Sequence, residues 1–287
     1  MKTNKKDHRN IYMVTGGDGF IGSKIVQKTG GVSFDIKSGN DILNKEKLAE
    51  AIINTDGIFH CAAKISVPES IIVPKVYQHI NIDGTKIVIE SAVRQKIVFS
   101  SSAAVYGESE IPVNEKGQLV PKSPYAETKI IGEELLQKTN RPHVALRYFN
   151  VYGPGQSIQY AGVITNFIKK ALEGKDLVIH GDGTQVRDFV FISDVVEANI
   201  MAMNYNNKKF EIFNIASSEK TTINQLAKLI LKLTNSDSKI CYEPARNGDI
   251  FYSNADISKA TNILGWKPKV SLEEGLKETI AFYTNNS

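Results

Sequence analysis

The chain has 287 residues, 41% of them hydrophobic, with 35 Lys and Arg against 31 Asp and Glu for a formal net charge of +4. This length suits one large α/β body or a nucleotide domain with a smaller lobe, and the charge is spread along the chain without a basic stripe, which argues against nucleic-acid or anionic-membrane binding. Cys61 and Cys241 lie far apart with no clustered His, so neither a disulfide framework nor a metal site is indicated and a reduced, cytoplasmic protein is expected.

Lys2 to Arg9, the densest basic stretch, reads as a solvated tail. The apolar run Ile11 to Val14 is too short for a signal peptide or a membrane span and reads as the first strand. It leads into Gly16-Gly17-Asp18-Gly19-Phe20-Ile21-Gly22, with a helix predicted over Gly19 to Lys28. A Gly-rich turn alone is ordinarily only a turn. Between a strand and a helix, glycines at 16, 19 and 22 allow a tight turn, backbone approach to a pyrophosphate and close helix packing. The helix start then offers N–H groups and a partial positive charge to phosphates. Gly16, Gly19, Phe20, Ile21 and Gly22 are therefore predicted to bind a dinucleotide.

Asp35 follows the second strand, Val32-Ser33-Phe34, where its carboxylate can accept from both ribose hydroxyls and repel a 2′-phosphate, favouring NAD over NADP. The alternative is an Asp that shapes the turn Lys37-Ser38-Gly39-Asn40. Asp41 and Ile42 are placed to bound the adenine pocket, although a loop Asp can equally cap the next helix, Lys45 to Asn54.

The pattern then repeats: a strand at Ile58-Phe59-His60, a helix over Ile80 to Arg94, a strand at Ile97-Val98-Phe99, a helix over Pro124 to Thr139 and a strand at Val144-Ala145-Leu146. Short buried strands separated by helices imply right-handed βαβ units, and hence an α/β Rossmann-type doubly wound parallel sheet covered on both faces. Ile82, Ile89, Ala92 and Val93, with Ile130, Ile131, Leu135 and Leu136, form apolar stripes that face the core first and a dimer partner second.

Ser100-Ser101-Ser102 ends the fourth strand, and Tyr125-Ala126-Glu127-Thr128-Lys129 opens the following helix. Residues four apart share a helix face, so Lys129 lies beside Tyr125. A Tyr with its ordinary pKa of about 10 is a poor base near neutrality, and a neighbouring ammonium favours its phenolate. Tyr205-Asn206-Asn207-Lys208-Lys209 matches the same spacing but lies in an Asn/Lys-rich stretch with no strand-end serine, and reads as a turn. Beyond Asn150 the alternation loosens, with helices predicted at Gly162 to Glu173 and Ser193 to Met203. Ser271-Leu272-Glu273-Glu274 has the form of a capping box for a last helix.

From about Ile11 to Tyr283 the chain resembles the extended short-chain dehydrogenase/reductases, specifically their nucleotide-sugar epimerases. The resemblance rests on Thr15-Gly16-Gly17-x-Gly19-Phe20-Ile21-Gly22, His60-x-Ala62-Ala63, Asn81-x-x-Gly84-Thr85, Ser100 to Gly107, Pro124-Tyr125-x-x-x-Lys129, Leu146 to Gly153, Gly181-Asp182-Gly183-x-x-x-Arg187-Asp188 and Leu264-Gly265-Trp266-x-Pro268. It implies that Ser102, Tyr125 and Lys129 are catalytic, that Ala62, Ala63 and Asn81 join the cofactor site, and that Asn150, Arg187, Arg246 and Asp249 reach the nucleotide diphosphate and its sugars. Guanidinium groups suit diphosphate oxygens, although either Arg alone would read as a surface ion pair.

The implied reaction is 4-epimerisation of a UDP-sugar with NAD, through a transient 4-keto sugar and without net redox change. Ala103 and Ala104 stand where related dehydratases carry an acidic pair and decarboxylases a Glu, which argues against both chemistries. Ser253, four after Asp249, corresponds to a gate at the sugar 2-position, and its small size implies tolerance of N-acetylhexosamines. The alternatives are a nucleotide-sugar reductase or dehydrogenase with net cofactor turnover, and an NAD(H)-sensing protein. A homodimer follows from the resemblance alone.

The domain expectation is a dinucleotide-binding unit over 10–155, with 189–215 returning to it, and a smaller C-terminal α/β substrate lobe over 156–188 and 216–287. Two features depart from the family pattern. Only thirteen positions separate Gly22 from Asp35, implying a trimmed first helix and adenine-side loop. Asp18 stands in the glycine loop where Ala is usual, and is expected to point to solvent.

Overall fold

A computed structural model describes residues 10–109, 111–157, 162–245 and 250–286. The tail Lys2 to Arg9 and the candidate residues Arg246 and Asp249 lie outside them. The first half runs β1 (Tyr12–Thr15), α1 (Phe20–Thr29), β2 (Val32–Phe34), α2 (Lys45–Ile52), β3 (Gly57–His60), α3 (Val67–Ile72), α4 (Pro74–Gln78), α5 (Gly84–Ser91), β4 (Lys96–Ser102), α6 (Pro124–Lys138) and β5 (Val144–Tyr148). The second half runs β6 (Asn150–Tyr152), α7 (Val163–Leu172), β7 (Leu177–His180), β8 (Val186–Arg187), β9 (Phe189–Phe191), α8 (Ile192–Asn204), β10 (Glu211–Ile215), β11 (Thr221–Thr222), α9 (Ile223–Thr234), β12 (Ile240–Glu243), β13 (Tyr252–Ser253) and α10 (Leu272–Asn285).

Six strands form a parallel sheet in the order β10-β5-β4-β3-β1-β2. Alternate residues of a strand point to opposite faces, and here both faces are buried. Val14, Phe59, Val98 and Leu146 pack with Val195, Phe213 and Trp266 on one side. Met13, Ile58, Ile97 and Ala145 pack with Leu48, Val88 and Leu136 on the other. Each such fully buried Val, Leu, Ile or Phe contributes about 1.5–3 kcal/mol relative to exposure. This is the sheet that the β-branched runs predicted.

The predicted helices are present, with ends moved by a few residues. The helix expected over Ile80 to Arg94 is α5 preceded by a π-helical turn, His79–Asp83, that carries Asn81. Helices α3 and α4 had no counterpart in the sequence reading, because Pro68 and Pro74 look like punctuation. Both prolines instead occupy the first turn of their helices, where a missing N–H costs nothing. The Ser271–Glu274 capping box forms as predicted. A second one, Thr222 with Gln225, starts α9.

The remaining strands form small sheets: β7 with β12, β6 with β9, and β8 between β11 and β13. Their core joins Ile164, Phe167, Ile179, Phe191, Leu226 and Leu276. In the large sheet the chain order reverses at β1, which lies between β2 and β3. Such a reversal leaves a crevice at the carboxyl ends of the strands, and the glycine loop, Asp35 and Ala62 all lie there.

Candidate functional site

The glycine loop is shaped by close approach. Gly16 has φ +68°, and a Cβ there would come within 2.7 Å of Ala62 N; one at Gly22 would meet Gly16 O at 2.1 Å. The first turn of α1, like those of α7 and α8, has no side-chain cap, whereas α2, α6, α9 and α10 each have one. Its N–H groups therefore point at the crevice without a side-chain partner, the arrangement that receives a pyrophosphate. The cradle fits a dinucleotide.

Asp35 is buried, and it begins the turn after β2. Its Oδ1 accepts from Lys37 N at 2.9 Å and its Oδ2 from Asp18 N at 3.1 Å. The turn-forming alternative is thus realised, and each oxygen keeps a lone pair for a ribose hydroxyl. Asp41 accepts from Leu43 N at 2.9 Å, and the cap of α2 is Asn44 instead. Ile42 is buried against α5, where a Cβ on Gly84 would clash with it.

Asp18 remains partly exposed, as expected, but its carboxylate is not free. Its carboxylate accepts from Ser33 Oγ at 2.7 Å and from Ser38 Oγ, and its carbonyl accepts from Lys37 Nζ at 3.1 Å. The two serine hydroxyls hold its pKa below the ordinary carboxylate value. Asp18 fastens the glycine loop to the turn after β2, because the short span to Asp35 brings Ser33 and Ser38 within reach.

Ala62 and Ala63 follow β3, and a polar chain runs beneath them. Thr85 Oγ1 donates to Asn81 O at 2.6 Å, so it accepts from His60 Nε2 at 2.9 Å, and His60 Nδ1 accepts from the Thr15 hydroxyl at 2.7 Å. Burial pushes His60 down to about 3, with Lys129 adding to the effect, so the ring is neutral. Asn81 holds Lys64 from both sides, Oδ1 accepting from Lys64 N at 2.8 Å and Nδ2 donating to Lys64 O at 2.9 Å. The same Nδ2 reaches Thr128 on α6 at 3.0 Å.

Ser102, Tyr125 and Lys129 come together at the end of β4. Ser123 caps α6 by accepting from Ala126 N at 3.2 Å, and Pro124 sits in the first turn. This fixes Tyr125 one residue into the helix. Lys129 is buried; its Nζ donates to Ser100 O at 2.7 Å and lies 5.8 Å from the Tyr125 ring centroid. Burial raises the Tyr125 phenol, and a hydrogen bond with the Ser102 side chain pulls it down. Burial also lowers Lys129 to about 8, against the opposing pull of Cys61 and Glu133. The second Tyr-x-x-x-Lys is indeed a decoy: Tyr205 packs edge-on against Phe213 and its carbonyl accepts from Lys96 Nζ.

On the substrate side, Arg187 and Ser253 are direct partners in the pairing of β8 with β13. Asn150 N and Nδ2 both donate to Asp188 O, at 3.0 and 2.9 Å. Asp188 itself is a hub that the sequence reading gave no role. Its buried carboxylate accepts from Ser217 N, Ser217 Oγ, Ser218 N, Asn254 Nδ2 and Ala255 N, at 2.7 to 3.3 Å. Burial still pushes it up to about 6. Ala103, Phe149 and Ser253 line one small cavity here. A larger one of about 600 Å³, lined by Ala171, Asp176 and Lys239 among others, contains none of the candidate residues. Among the described residues no cluster of His, Cys, Asp and Glu could hold a metal, and no helix is long and apolar enough to cross a membrane.

Known proteins share this architecture. Residues 12–216 match the model of the NAD dependent epimerase/dehydratase family. The crystal structure of UDP-glucose 4-epimerase from Thermotoga maritima with UDP-glucose superposes with a TM-score of 0.90 at 35% identity, covering 96% of this chain and 99% of that one. The UDP-N-acetylglucosamine 4-epimerase of Methanobrevibacter ruminantium M1, in complex with UDP-N-acetylmuramic acid, gives 0.89 at 34% identity, covering 97% and 99%. A UDP-N-acetyl-alpha-D-glucosaminuronate decarboxylase of Bacillus cytotoxicus is 32% identical, across 94% of this chain and 97% of its own length. With a Rossmann-type sheet, an open glycine cradle and this breadth of similarity, the chain belongs to the NAD-dependent epimerase/dehydratase family, with NAD as its cofactor.

Proposed function

We propose that this enzyme is a UDP-sugar 4-epimerase, acting on UDP-glucose and UDP-galactose or on their N-acetylhexosamine counterparts. The observation that carries the reading is the meeting of Ser102, Tyr125 and Lys129 at the end of β4, with two methyl side chains, Ala103 and Ala104, immediately after Ser102. Tyr125 Oη takes the proton of the sugar 4-hydroxyl, Ser102 Oγ hydrogen-bonds the reacting oxygen, and Lys129 supplies positive charge beside the phenol. NAD⁺, when bound, supplies the acceptor for the C4 hydride and a further positive charge. The sugar turns over as its 4-ketone and is reduced on the opposite face by the same hydride, so no external reductant is consumed.

Gly16, Gly19, Phe20, Ile21, Gly22, Asp35, Asp41, Ile42, Ala62, Ala63 and Asn81 are the residues we assign to the cofactor. Asn150, Arg187, Arg246, Asp249 and Ser253 are those we assign to the nucleotide sugar. The small Ser253 beside Arg187 supports room at the sugar 2-position. Among the relatives is a decarboxylase, but that chemistry is disfavoured here because a methyl group at Ala104 cannot exchange protons. A second copy packing on α5 and α6 would make the homodimer, which sedimentation would test.

The test is incubation with UDP-glucose or UDP-N-acetylglucosamine while the 4-epimer is followed by NMR and NADH by absorbance. Epimer without net NADH is the expected result. Stoichiometric NADH would assign a dehydrogenase, and no conversion of any UDP-sugar by folded, NAD-loaded protein would leave a sensor.

A further inference from the structure

Asp18 breaks the usual composition of the glycine loop, and its surroundings give that change a purpose. Three donors converge on this residue: the hydroxyls of Ser33 and Ser38 on the carboxylate, and the ammonium of Lys37 on the carbonyl. Hydroxyls and a lysine are the donors that would receive a phosphate monoester. They stand beside Asp35, whose Oδ2 accepts from Asp18 N at 3.1 Å. We propose that Asp18 is a second determinant of cofactor choice, an internal anion that occupies the donors a 2′-phosphate would need and so excludes NADP(H) together with Asp35.

The charge balance supports this. Asp18, Asp35 and Lys37 sum to one negative charge at the ribose edge. Without Asp18 they are neutral, and without both carboxylates Lys37 remains alone with two free hydroxyls. Like charges in a partly exposed cleft repel by a few kcal/mol at most, so each carboxylate is expected to change the NAD⁺:NADP⁺ preference by about tenfold, the equivalent of about 1.4 kcal/mol. The inference rests on the assignment of Asp35 to the adenosine ribose.

The experiment is a competition readout that needs no turnover. Purified wild type, Asp18→Asn, Asp18→Ala, Asp35→Ser and the double variant Asp18→Ala/Asp35→Ser are equilibrated with equimolar excess NAD⁺ and NADP⁺ and desalted. Retained nucleotides are quantified by chromatography, and melting temperatures check folding. Wild type should retain NAD⁺ almost exclusively. Asp18→Asn keeps a side chain able to bridge the serines but removes the charge, and should raise the NADP⁺ share about tenfold, as should Asp18→Ala; the double variant should prefer NADP⁺. If folded Asp18→Asn and Asp18→Ala keep the wild-type ratio while Asp35→Ser alone shifts it, the proposal is overturned and the reading of Asp35 stands. If Asp35→Ser leaves the ratio unchanged, the ribose assignment itself fails.

Discussion

Glu133 and Arg147 form a two-pronged ion pair between α6 and β5, Nε to Oε1 at 2.9 Å and Nη2 to Oε2 at 2.6 Å, with side chains 5% and 2% exposed. Glu133 also accepts from the Ser101 hydroxyl, and Arg147 donates to Tyr106 Oη at 2.8 Å. Burial pushes the guanidinium down, but Glu133 more than offsets this and holds it above its ordinary value. The pair fastens the helix that carries Tyr125 and Lys129 to the sheet. Removing one partner strands a buried charge, so Glu133→Ala should lose about 3–5 kcal/mol of stability in urea denaturation, and Glu133→Gln, which keeps the shape but not the charge, nearly as much. A much smaller loss for Glu133→Gln would mean that the charge is not what matters there.

Tyr125→Phe should retain bound NAD and the wild-type fold but lower turnover by about a thousandfold, within the range for loss of a general acid–base group. Epimer formation by NMR and nucleotide content after denaturation measure the two effects separately. Residual activity near that of wild type would remove Tyr125 from the proton-transfer role.

Ser253→Tyr fills the space beside Arg187. We expect kcat/KM for a UDP-N-acetylhexosamine to fall at least tenfold, about 1.4 kcal/mol, with UDP-glucose less affected. If both substrates fall equally, Ser253 does not discriminate at the 2-position.

Acid should weaken the fold well before the carboxylate range. His60 and His143 are lowered by burial to about 3 and about 4, from 6.5. In each case the folded state resists a proton that the unfolded chain accepts, so stability is fully present above pH 6.5 and is lost as pH falls toward the folded values. Each histidine contributes a slope of about 1.4 kcal/mol per pH unit in that window. Asp188, raised by burial to about 6, works in the opposite sense and offsets part of the loss. Urea midpoints measured from pH 7.5 to 4.5 should fall, and His60→Gln should flatten the fall. An unchanged profile in that variant would mean that His60 protonates in the folded protein.

Much of this was readable in the sequence because it is local. The glycine loop, the strand-end serines and the Tyr125–Lys129 spacing each lie within one turn or one helix, and β-branched runs report a buried parallel sheet directly. What escaped depends on distant partners. Glu133 with Arg147, Asp188 with Asn254, and His60 with Thr85 are joined by folding, and no local pattern marks them. A Pro-initiated helix was available as a signal at Pro68 and Pro74, and so was the Thr222-x-x-Gln225 capping pattern. The serine partners of Asp18 escaped because an acidic residue in a loop is usually only solvated, and only the short path to Asp35 makes Ser33 and Ser38 reachable.

The Asp188 carboxylate has a consequence for how the protein can move. It joins the corner after β10, where Ser218 has φ +65°, to the end of β13, while its own carbonyl anchors Asn150. Parting the small sheets from the large one would break the three hydrogen bonds that Ser217 and Ser218 donate to this buried carboxylate, which resists a hinge across this seam. In the proposed reaction the 4-keto sugar would then have to turn within a site that stays closed at this seam. Entry and exit then belong to surface loops, whose motion, not a swing of lobes, would govern how quickly one product gives way to the next substrate.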